Sequence, residues 1–85
     1  MSFTEFLNEN RLLEELGDFP ERALKIGRKH KFLVIEYNEN EEGLKLTSNR
    51  GSLLTSHNHG RFLHADLLCH YLEGHNYLVK LKEIK

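Results

Sequence analysis

At 85 residues the chain can build one modest core but cannot hold both a substrate domain and a cofactor domain, so a single domain over residues 1–85 is expected. Apolar residues at 39%, charged residues at 29% and one proline do not suggest disorder, and a single cysteine excludes an intramolecular disulfide. The formal charge of −1 gives no global pull toward nucleic acid or acidic lipid. No stretch approaches the ~20 apolar residues of a membrane span. The opening MSFTEFLNEN lacks the basic and apolar regions of a signal peptide, which makes a reducing cytoplasm the expected compartment.

In chain order, the first expected helix runs from Phe3 to Leu16, with Ser2 and Glu5 as a capping box and Gly17 as the stop. Asp18, Phe19, Pro20 and Glu21 look like a second helix start, since proline suits the first helical position and acidic residues suit the positive end of the dipole. Residues Ala23 to Ile26 fit either this helix or a strand. The run FLVIEY is rich in β-branched and aromatic residues, which predicts a strand buried on both faces. A polar turn, NENEEG, leads to Leu44–Thr47, whose alternation completes an antiparallel hairpin. Ser52 to Ser56 either adds a short strand or leads into the next helix.

That helix, Arg61 to Glu73, is the most apolar in the chain. At ~100° per residue, Phe62, Ala65, Leu68, Cys69 and Leu72 form one stripe, and Leu63, Leu67 and Tyr71 form a second. Gly74 is expected in the left-handed conformation that ends a helix. In the tail, Tyr77, Val79 and Leu81 alternate with Lys80 and Lys82, the pattern of a closing strand. The order of elements predicts an α+β fold: a small, mainly antiparallel sheet of about three strands, covered on one face by two or three helices.

Three clusters carry candidate chemistry. Five of the six histidines and the cysteine crowd between His57 and His75, and a metal site would draw on His57, His59, His64 and His75. No pair of them shares one helix face, so the spacing does not specify a metal and no cofactor is implied. Asp66 and His70 lie one turn apart but have no partner nucleophile: Cys69 belongs to the apolar stripe, and no catalytic motif surrounds Ser52, Thr55 or Ser56. The expected protein is therefore not an enzyme. The third cluster is basic, with Lys25, Arg28, Lys29 and Lys31 available to phosphates. Lys80, Lys82 and Lys85 would extend it if the tail strand lies alongside. Aromatic residues are not interleaved with these cations, and Phe32 is expected to begin a buried strand instead of forming a stacking platform.

These patterns rank a small docking protein first, working as a homodimer or on a protein partner through Leu63, Leu67 and Tyr71. Weak, sequence-tolerant nucleic-acid binding through the basic block ranks second, and histidine-based metal binding third.

Overall fold

The computed structural model describes residues 11–30, 32–38 and 43–84. Residues 11–16 form helix α1, and the portion of the expected first helix before Arg11 lies outside the described residues. Gly17 follows with φ +56°, a left-handed geometry that glycine adopts without steric cost and that turns the chain into α2, Phe19–Gly27. The open question over Ala23 to Ile26 resolves as helix. Phe19, Ala23 and Gly27, spaced by four, are all buried along one side. Gly27 permits the close approach of α2 to the sheet, because a Cβ there would lie 3.0 Å from the Leu33 side chain.

Four strands follow the helices: β1 (Phe32–Tyr37), β2 (Leu44–Ser48), β3 (Leu53–His57) and β4 (Leu78–Glu83). Their order across the sheet is β3-β2-β1-β4. The β1/β2 hairpin and the β2/β3 pair are antiparallel, as the turn-rich connections require, with an irregularity between Leu46 and Thr47. Between β3 and β4 the chain passes through α3, Phe62–Glu73, and this crossover allows β4 to join β1 in parallel. The class is the expected α+β. The sheet has one strand more than expected, and a parallel pair at its β4 edge.

Helices and sheet meet in one cluster. Leu16, Phe19, Ala23, Leu33, Ile35, Leu44, Leu46, Ala65, Leu68 and Leu72 are all fully buried in it. Truncating a side chain such as Leu68 to alanine should cost about 2–5 kcal/mol. Three local expectations are corrected. Strand β1 is fully buried on one face only, with Leu33 and Ile35 inward and Phe32, Val34 and Glu36 partly exposed. Phe62 leaves the core stripe of α3: it is 47% exposed and packs against the Tyr37 ring at 5.4 Å. Gly74 is right-handed at φ −63°, and Asn76, at φ +70°, makes the reversal into β4 instead. Tyr77 then donates its hydroxyl to the Leu24 carbonyl at 3.0 Å, tying this turn to α2.

Candidate functional site

With the helices on the Leu33/Ile35 side, the alternation of each strand determines what the opposite face displays. In β1 that face shows Phe32, Val34 and Glu36. The registers set Leu78 beside Phe32, Lys80 and Thr47 on either side of Val34, and Lys82 and Lys45 on either side of Glu36. Beyond β2, Leu53 pairs with Thr47 and Ser56 with Lys45. The face thus carries an apolar floor, with Leu53 60% and Leu78 64% exposed at its margins, and exposed lysines along it.

One end of this floor is built by the β2–β3 turn. The Ser48 hydroxyl accepts the backbone N–H groups of Arg50 (3.3 Å) and Ser52 (3.2 Å), and Gly51 supplies φ +90° for the tight return. This turn, together with Lys29 and His30 after α2, borders a depression of ≈ 530 Å³. A second, of ≈ 370 Å³, reaches across Val34 to Lys80 and Lys82. Both include Phe32, Ser48 and Asn49, so they run together as a shallow groove across the sheet. Lys29 and Arg50 stand at one end, Lys80 and Lys82 lie along the rest, and Lys45 sits on the same face across Glu36 from Lys82. Among the described residues of this face the carboxylate is Glu36, which lies 3.9 Å from the Lys82 ammonium.

The basic block is therefore divided. Lys29 lines the groove, whereas Lys25 sits exposed in the last turn of α2 and Arg28 caps its end. Lys31 and Lys85 lie outside the described residues. Lys80 and Lys82, on β4 beside β1, line the second depression, which shares Phe32, Ser48 and Asn49 with the one that Lys29 borders. Arg50 and Phe32 join the groove unforeseen and Lys45 joins the same face, since strand pairing and the β2–β3 turn bring them there.

The histidines also divide. His64 is 2% exposed and acts as a cap: its Nδ1 accepts the Arg61 backbone N–H at 3.2 Å, and its Nε2 bonds the Glu15 carboxylate. The same carboxylate lies 3.7 Å from His59 Nε2. His57 stacks on Phe19 at 5.4 Å and donates from Nε2 to the Glu15 carbonyl at 2.9 Å. His75 belongs to the opposite end of α3, against the Tyr71 ring at 5.0 Å. Hydrogen bonding from His64, opposed by burial, holds the Glu15 carboxyl below its usual range.

Glu15, His59 and His64 bring three donor atoms within 4.8 Å of one another, which raises the question of a metal. The hydrogen bonding at His64 does not fit one. A neutral imidazole that accepts an N–H at Nδ1 carries its own hydrogen on Nε2, so the nitrogen facing the cluster is a donor. Ligation through Nε2 would require the hydrogen at Nδ1, directed at another N–H; a ligating histidine instead donates that hydrogen to an oxygen. The cluster is a hydrogen-bonded latch joining α1 to the start of α3. Glu15 escaped sequence reading because it lies 49 residues from His64.

On α3 the second stripe is graded. Leu63 is 47% exposed, while Leu67 and Tyr71 are half-buried against the core. Asp66 and His70 are 3.5 Å apart on a solvated surface, 44% and 71% exposed. Comparison of the chain with protein-family models, characterised proteins and solved structures finds no match.

Proposed function

We propose that the protein is a non-enzymatic nucleic-acid-binding domain whose contact surface is the sheet face opposite the described helices. The supporting observation is the segregation of charge: Lys29, Lys45, Arg50, Lys80 and Lys82 border an apolar floor that carries the carboxylate of Glu36, although the whole chain has a formal charge of −1. Helix surfaces mix both signs, as in the Asp18–Arg22 pair, which favours the sheet face for a polyanion. A docking face built on Leu63, Leu67 and Tyr71 has less in its favour, since the last two already pack on the core.

Fluorescence anisotropy with a labelled oligonucleotide tests this. Binding should be modest, on the order of 10⁻⁶–10⁻⁴ M at physiological salt, and should weaken steeply as salt rises because each phosphate contact releases counterions. The double substitution Lys80→Glu with Lys82→Glu should lower affinity at least tenfold while leaving the circular-dichroism spectrum unchanged. Absence of binding by the wild type at low salt, or equal binding by the double variant, defeats the reading.

A further inference from the structure

Resting on that nucleic-acid reading, we infer that the polymer taken by the sheet face is single-stranded, with a base stacked on the Phe32 ring between two sets of cations. Phe32 lies where the two depressions join, with Lys29 and Arg50 in one and Lys80 and Lys82 in the other. Leu78 is its register partner across the β1/β4 pair, and Val34 follows it on the same face. The groove therefore has an apolar wall at Phe32 and Val34, faced by Ser48 and Asn49, between two sets of cations. Phosphates account for the cations but gain nothing from the Phe32 ring.

A duplex cannot use this floor. Its bases stack on one another, and it offers a protein phosphates and groove edges, which are read by an inserted helix or β-ribbon. Among the described residues, the exposed face here is a sheet surface with no helix packed on it. A single strand presents base faces as well as phosphates, and an aromatic ring flanked by cations matches that combination. Lys80 and Lys82, two residues apart on one face of β4 and so ~6.6 Å apart along the strand, can follow consecutive backbone positions. Among the described residues, Asn49 is the one amide side chain lining the groove. Base-edge reading is consequently sparse, and the preference is for single-strandedness over sequence.

The chain has no tryptophan, so Phe32→Trp places a sole indole reporter at the proposed stacking point. Its emission should be quenched by a single-stranded oligonucleotide and not by an abasic strand of the same length and charge. For the wild type, the abasic strand and a hairpin duplex should each bind about tenfold more weakly than the single strand, the scale expected of one lost base–aromatic stack. Phe32→Leu should remove most of the difference between intact and abasic strands without changing the salt dependence. This comparison carries the test if the tryptophan variant fails to fold. Equal wild-type binding of intact and abasic strands overturns the stacking inference and leaves nucleic-acid binding standing. Failure to bind any of the three polymers at low salt overturns both.

Discussion

The imidazole of His64 is held between two groups of opposite demand, the Arg61 backbone N–H on Nδ1 and the Glu15 carboxylate on Nε2. Only the neutral tautomer with its hydrogen on Nε2 satisfies both. Fixed in this way, His64 caps α3 as a polar side chain at the third helical position does in a capping box, while its far edge anchors α1. Losing it removes a cap and empties a buried position, so His64→Ala should destabilise the fold by roughly 1–2 kcal/mol. Zinc and chelator should leave the wild-type melting temperature unchanged. A chelator-sensitive melt accompanied by stoichiometric metal in untagged protein would show that the histidines ligate after all.

The acid limb of stability should depend on Glu15. Its carboxyl is held below the ordinary value of 4.5 in the folded chain, chiefly by the His64 hydrogen bond. A folded-state value lower than the unfolded one contributes stability that is fully present above the unfolded value. It is lost as pH falls through the folded one. Thermal melts between pH 7 and pH 3 should therefore show the wild type losing stability faster than Glu15→Gln below about pH 4.5. The substitution lowers stability at neutral pH and flattens that limb. Parallel curves for the two proteins throughout the acid range would contradict the assignment.

Legibility in the sequence followed the range of the interaction. Ala65, Leu68, Cys69 and Leu72 read correctly as core because helical periodicity is local. Phe62 broke the stripe at the first turn of α3, where the ring turns to Tyr37 instead of the sheet. The apolar run Phe32 to Ile35 misled about Phe32 and Val34, since periodicity cannot reveal whether a second layer exists to cover a face. In this fold the helices cover one side. Neither the parallel register that carries Lys80 and Lys82 to β1 nor the contact of Glu15 with His64 leaves a local pattern, because each depends on how distant segments pair.

Cys69 should behave as a packing group. It is 8% exposed, and burial, followed by its hydrogen bond to the Glu73 carboxylate at 3.2 Å, pushes its thiol up to about 12. At pH 8 the thiolate fraction is then negligible. A disulfide reagent such as Ellman's should react with one thiol per chain in denaturant and with almost none in the folded protein over the same minutes. Rapid stoichiometric labelling of the native chain would mean that α3 opens readily or that the thiol is activated.

The graded second stripe of α3 separates an interface from a core edge. Leu63 is 47% exposed, whereas Leu67 is half-buried and packs against the cluster formed by the helices and sheet. A glutamate at Leu67 would lose apolar contacts and place a carboxylate beside that cluster, at a cost of about 2–4 kcal/mol. Leu63→Glu, pointing to solvent, should stay within about 0.5 kcal/mol of wild type. Chemical-denaturation midpoints for the two variants, taken beside light scattering, decide between the roles. Marked destabilisation at Leu67 alone, with unchanged mass for all three proteins, is the expected result. If Leu67→Glu instead keeps wild-type stability and halves the mass of a dimer, the stripe is an interface between copies of the chain, and the sheet face is not the protein's only working surface.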